Sequence, residues 1–214
     1  MQSQCDPQKH LPADCVAYTR SFDATLLNWE FDHFFEFGIE ARFDKKIAEE
    51  DLKTLRQHAQ AITAHLVTLP QTFVHRDFQS KNLMVQNEAL KLLDFQDALL
   101  GPLPYDLVAL LRDSYIALPA DTVKELVAYY VEQKSKNLPS PLKGDIFLKD
   151  FDWMTIQRKL KDAGRFVYID RVKKNPNFLQ HIPNSLQYVK EAFSRCPELK
   201  EFFTLLQKYV PEFL

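Results

Sequence analysis

Glycine is scarce in this sequence: four residues, Gly38, Gly101, Gly144 and Gly164, none close to another. That spacing excludes a phosphate-cradling loop of the G-x-G-x-x-G type, and nothing before Thr72 resembles such a loop followed by a strand-borne lysine. Cysteine is scarce too. Cys5, Cys15 and Cys196 are odd in number and lack C-x-x-C or zinc spacing, which suits a reducing compartment and leaves a Cys5 to Cys15 pairing as the less favoured alternative. No apolar run approaches the roughly 20 residues that span a bilayer, and the polar start from Met1 to His10 has no secretory core, so a soluble, cytoplasmic protein with no membrane partner is expected. There is no excess of positive charge. With 27 basic and 29 acidic residues, net charge -2, a general nucleic-acid surface is disfavoured.

What the chain does have is apolar and aromatic content, 46% and 13% of 214 residues, enough to bury a full core. Residues 1–20 read as a polar lead-in with Pro7 and Pro12. From Ser21, a plausible N-cap, to about Arg42, the set Leu27, Phe31, Phe34, Phe35 and Gly38 repeats at helical spacing. A second stripe, Ala48, Leu52, Leu55, Ala59, Ile62 and Leu66, predicts a helix that ends before Pro70. Leu83 to Val85 and Leu90 to Phe95 predict a hairpin turning at Asn87-Glu88, and Gly101 to Pro104 predicts a rigid bend. Asp106 and Asp121 then stand as N-caps of helices, and the rest is helical around a Pro/Ser-rich loop from Lys136 to Lys143, with late helices starting near Asn184 and Pro197. The class is α+β and mostly helical.

The chemistry concentrates in Val74-His75-Arg76-Asp77-Phe78-Gln79-Ser80-Lys81-Asn82 and in Leu92-Leu93-Asp94-Phe95-Gln96-Asp97. Spacing of H-R-D-x-x-x-x-N, followed by an Asp closing an apolar strand, is that of a phosphoryl-transfer site. In that pattern Asp77 receives the acceptor hydroxyl, while Asn82 and Asp94 offer the oxygen ligands that magnesium prefers. A carboxylate is a weak base at neutral pH, so Asp77 would orient the hydroxyl and take its proton late. An Asp before an aromatic often only caps a turn; it is the three-part coincidence of Asp77, Asn82 and Asp94 that favours catalysis.

The run from His75 to Leu118, including Asn82-Leu83-Met84, Asp94-Phe95-Gln96-Asp97-Ala98, Gly101-Pro102, Tyr105-Asp106-Leu107 and Arg112-Asp113-Ser114-Tyr115, resembles the aminoglycoside phosphotransferase and choline kinase superfamily. Within it the likeness is greatest to bacterial cell-wall sugar kinases acting on the anomeric hydroxyl of N-acetylmuramate and N-acetylglucosamine, and it extends through Trp153, Arg158 to Lys161 and Ile182-Pro183 to Tyr188. The resemblance implies ATP and Mg2+ as cofactors, a protein-kinase-like C-terminal lobe over residues 21–214 with a short active-site hairpin, and no N-terminal lobe in this chain. By resemblance Asp77 is the catalytic base, His75 supports its loop and Arg76 belongs with them to the catalytic set; Asn82 and Asp94 are magnesium ligands; and Asp106 is a buried aspartate that holds the loop through backbone hydrogen bonds. Arg112 and Asp113 match a recurring pair without an assigned role. Glu30, Asp32, Asp97 and Arg112 are the candidate acceptor contacts.

Three functions compete at this stage. The first is an ATP-dependent phosphotransferase lobe acting on a small-molecule hydroxyl, with an N-acetylated amino sugar of cell-wall recycling as acceptor and a separate N-terminal lobe polypeptide as a possible partner. The second is a truncated, non-catalytic binding module, which the missing phosphate clamp favours. The third is a choline- or aminoglycoside-type kinase, for which Glu30, Asp32, Glu36 and nearby phenylalanines would suit a cationic acceptor.

Overall fold

The computed structural model describes residues 2, 5, 15–136, 138 and 140–214, so most of the polar lead-in lies outside the described residues. It is mostly helical with two small antiparallel sheets, in keeping with the expected class. The chain forms two compact units, residues 1–22 with 68–151, and residues 23–67 with 152–214.

The first unit contains both sheets. Strand β1 (Gln71–Val74) pairs antiparallel with β4 (Leu99–Pro102), Val74 opposite Leu99. Strand β2 (Leu83–Gln86) pairs with β3 (Ala89–Leu92), Leu83 opposite Leu92. The turn between β2 and β3 falls at Asn87 and Glu88, as the sequence predicts. Both have positive φ, 50° and 62°, which is what a two-residue hairpin matched to the strand twist requires. Two expectations are corrected here. Gly101 and Pro102 end strand β4 and do not form a free bend; Pro102 is tolerated because it sits at the strand's end. The returning hairpin strand stops at Leu92, so Asp94 lies two residues beyond it, at φ 68°.

Gly101 has no alternative. A Cβ there would come within 2.8 Å of Val74 Cγ2 and 2.9 Å of Phe22 Cδ2, in a core where the Phe22 and Tyr105 rings lie 4.4 Å apart. Helices α3 (Tyr105–Leu111) and α4 (Ala120–Ser135) complete this unit with the first part of α5 (Gly144–Arg171). Helix α4 begins at Ala120 after Pro119, so Asp121 lies inside its first turn and is not its cap.

The second unit begins at Asp23, whose carboxylate accepts from the Leu26 N–H at 2.8 Å and caps α1 (Ala24–His33). Ser21, the expected cap, is instead bridged to Leu100 in the first unit's β region. Leu27, Phe31, Phe34, Phe35 and Gly38 are buried as the spacing predicts. Past His33, however, the helix widens into a π-helical segment over Phe34–Ala41. The tight fit of Gly164 against it is informative: a Cβ on Gly164 would lie 2.8 Å from Phe34 Cα. Helix α2 (Glu49–Leu66) buries Leu55, Ala59, Ile62 and Leu66, while Ala48 is its exposed N-cap. Helices α6 (Ile182–Arg195) and α7 (Lys200–Gln207) close the core, with Phe31, Phe193 and Phe202 in edge-to-face contact. Helix α6 starts two residues before Asn184, with Pro183 in its first turn, and Pro197 opens a 3-10 turn ahead of α7.

Candidate active site

Strand β1 delivers the chain into the loop that carries Asp77. At its exit Asp106, on the first turn of α3, turns its buried carboxylate back to the loop. Oδ2 accepts from the His75 N–H at 2.7 Å and Oδ1 from the Arg76 N–H at 3.1 Å. Asp106 is therefore not an N-cap; it satisfies one buried and one half-buried backbone donor at the loop's entrance. This matters because Arg76 has φ 75°, a region that costs a non-glycine residue roughly 1–2 kcal/mol. The two charge-assisted hydrogen bonds hold that conformation. The His75 ring is fully buried and its two nitrogens have no hydrogen-bond partner among the described residues; it packs 6.2 Å from the Phe78 ring. Arg76 places its guanidinium 5.8 Å from the Phe22 ring centroid.

Inside the loop the Asp77 carbonyl accepts from the Gln79 N–H at 3.0 Å and from Asn82 Nδ2 at 2.9 Å. A carbonyl can take only the nitrogen end of an amide, so this contact fixes Asn82 with Oδ1 available as an oxygen ligand. The Leu93 N–H then donates to the Asn82 carbonyl at 3.0 Å, so the hairpin sets Asn82 beside residue 93, with Asp94 the next residue along. Asp94 is exposed, and its Oδ1 accepts from Gln96 Nε2 at 2.6 Å. An amide oxygen and a carboxylate are hard donors that fit magnesium, an ion that keeps several waters and takes few protein ligands. Among the described residues no group of three or more His, Cys, Asp or Glu side chains could hold a metal.

The remaining candidates are placed differently. Asp97 is exposed, and Arg112 is buried with its guanidinium 5.8 Å from the Phe151 ring. Glu30 and Asp32 belong to the second unit. Glu30 is buried and accepts from Gln157 Nε2 at 2.8 Å, whereas Asp32 is half-exposed in an ion pair with Arg56 at 2.7 Å. Sequence reasoning assigned no role to Asp113, yet it is buried and touches the loop: Oδ2 accepts from the Ser80 N–H at 2.6 Å and Oδ1 from the Tyr115 N–H at 2.8 Å. Its two-residue offset from Tyr115 is the one signal that could have marked it, as a turn-forming Asp.

One Asp and one Asn held in a loop ahead of a hairpin and its Asp is the order that the sequence pattern anticipates, and the chain belongs to the phosphotransferase enzyme family, which matches residues 6–141. Among its relatives, N-acetylmuramate/N-acetylglucosamine kinase of Neisseria meningitidis is 33% identical over 190 residues, 88% of this chain and 57% of the relative. The proteins of the same name from Pseudomonas aeruginosa and Pseudomonas putida are each 30% identical, over 90% and 92% of this chain and 57% and 58% of their own lengths. The chain thus spans a little over half the length of the curated relatives it matches.

Proposed function

We propose that this chain carries the catalytic loop and the divalent-cation site of an ATP-dependent kinase whose acceptor is a hydroxyl of an N-acetylated amino sugar, in cytoplasmic recycling of cell-wall sugars. The observation that carries the reading is the Asn82 amide locked onto the Asp77 carbonyl, with Asp94 following on the hairpin bonded to Asn82. The names of the relatives support the sugar acceptor, and free thiols at Cys5, Cys15 and Cys196 suit a reducing compartment.

In this reading the Asp77 carboxylate accepts a hydrogen bond from the acceptor hydroxyl, points its oxygen along the line of attack and takes the proton as the new bond forms. Asn82 and Asp94 hold Mg2+, which when bound neutralises phosphate charge. Asp106 keeps the loop's entrance from relaxing, so the Asp77 side chain is presented without reorganisation. The glycine-rich clamp over the nucleotide is supplied by polypeptide outside these 214 residues, as part of a longer chain or as a separate partner.

The test is phosphate transfer from ATP to N-acetylglucosamine or N-acetylmuramate, with the clamp-bearing lobe supplied. Asp77→Asn should lower kcat by about 10²–10⁴-fold with the fold intact; ordinary turnover in that variant would remove Asp77 from its role. Choline and an aminoglycoside belong in the same substrate panel, and transfer to either alone would replace the sugar as acceptor. A second reading, a binding module without catalysis, is favoured by the lack of any glycine-rich run. Calorimetry separates them: amino-sugar binding with no transfer under any supplementation supports the module.

A further inference from the structure

We propose that Asp113 is a positioning residue for this loop, a clasp at its exit that matches Asp106 at its entrance and sets where Asn82 stands relative to Asp77. The inference rests on the kinase reading of the loop and adds a residue to it.

Ser80 opens the 3-10 turn Ser80–Asn82, and the residue before it, Gln79, gives no side-chain cap. The first N–H of such a turn has no acceptor within its own segment. Asp113, 33 residues away in sequence, supplies one at 2.6 Å. Its second oxygen is held by the Tyr115 N–H, so the carboxylate is fixed at both ends and cannot swing away. A further tie runs alongside: the Lys81 ammonium sits 3.7 Å from the centroid of the Tyr115 ring. Segment 113–115 therefore grips residues 80 and 81, and the next residue is Asn82.

Helix stability does not account for an acid at this position. Asp113 follows the C-terminus of α3 by two residues, where the helix dipole disfavours negative charge, and only 2% of its surface is exposed. A buried carboxylate in such a place is retained by the donors it receives, and one of the donors to Asp113 lies in the catalytic loop.

The experiment compares the whole chain with Asp113→Asn and Tyr115→Leu, reading backbone amide exchange by NMR and the binding of Mn2+, used as a paramagnetic probe for the magnesium site. In Asp113→Asn one oxygen becomes an NH2 that faces a donor. Exchange at Ser80 or Tyr115 should then rise by about tenfold or more, while the amides of Thr72 and Met84, which face the partner strands in the two sheets, keep their protection. Mn2+ broadening of Asn82 and Asp94 should require about tenfold more metal, a change that a purely structural residue would not produce. Tyr115→Leu keeps the backbone donor and should leave Ser80 protected. Wild-type exchange at both amides in Asp113→Asn would overturn the clasp, and so would a parallel loss of protection at Thr72 and Met84. Selective exchange at Ser80 in a chain that never binds Mn2+ would sink the kinase reading and leave the clasp standing. Intact Mn2+ binding with unchanged exchange would do the reverse.

Discussion

Replacing Asp106 by alanine should be among the most damaging single changes in the first unit. The carboxylate satisfies the His75 N–H at 2.7 Å and the Arg76 N–H at 3.1 Å in a buried setting. Each hydrogen bond to a charged group is worth about 1.5–3 kcal/mol, and each orphaned buried donor costs about 1–3 kcal/mol. These are two views of the same loss and are not summed. Relaxation of Arg76 from φ 75° returns about 1–2 kcal/mol by letting the loop escape its strain. The net destabilisation is then about 3–4 kcal/mol, which for a chain of this size lowers Tm by roughly 10 °C. Asp106→Asn keeps one acceptor and should lose about half as much. The control is Asp121→Ala, an exposed site on α4, expected to stay within about 0.5 kcal/mol. Thermal unfolding followed by circular dichroism, with amide exchange at His75 and Arg76, reads the effect. If Asp106→Ala unfolds within about 2 °C of the Asp121→Ala control, the two hydrogen bonds do not hold the loop and the reasoning fails.

Two further outcomes concern the second unit. His33 is only 7% exposed and its pKa is lowered to about 4, first by burial and then by the nearby cations Arg165 and Lys161. The folded chain therefore refuses a proton that the unfolded chain accepts below about pH 6.5, so stability present above that pH should fall as pH drops toward 4, by at most about 3 kcal/mol. Urea midpoints at pH 7.5 and 4.5 should show this, and His33→Gln should flatten the difference; an equal slope in both proteins would refute it. Two ion pairs within this unit make a second comparison. Lys159, 2% exposed at its side chain, meets Asp162 at 2.6 Å, whereas the Arg56 to Asp32 pair is about half in water. Asp162→Ala leaves a buried ammonium uncompensated and should cost about 3–5 kcal/mol, Asp32→Ala less than about 1 kcal/mol; comparable losses in a denaturant titration would contradict the burial argument.

Local signals were legible in the sequence and distant partners were not. The β2–β3 hairpin could be read because Asn87-Glu88 interrupts two short apolar runs, and a turn of two residues needs no information from elsewhere. The helical stripes were legible because burial imposes a period. Strand β4 was misread, since Gly101-Pro102 carries a turn signature and its partner β1 lies some thirty residues earlier. Ser21 has the chemistry of a cap, but its bridge to Leu100 takes it into the sheet region and Asp23 caps α1 instead. A π-helical segment leaves the apolar pattern nearly unchanged, so Phe34–Ala41 could not be told from ordinary helix. The Glu30 to Gln157 contact joins residues 127 apart, and the grip of Asp113 on Ser80 joins residues 33 apart, pairings no periodicity encodes.

The hairpin acts as a ruler for the proposed cation site. Asn82 stands at the head of one strand and Asp94 just past the foot of the other, and the ladder from Leu83 opposite Leu92 out to Gln86 opposite Ala89 counts the residues between them. Excising one residue from β3 while the turn stays in place would move every later residue up by one, putting the ring of Phe95 where the carboxylate of Asp94 had been. The length of that strand is thus as much a part of the proposed metal site's specification as the oxygen atoms themselves, and side-chain substitutions along its exposed face should be tolerated where a frame shift of one is not.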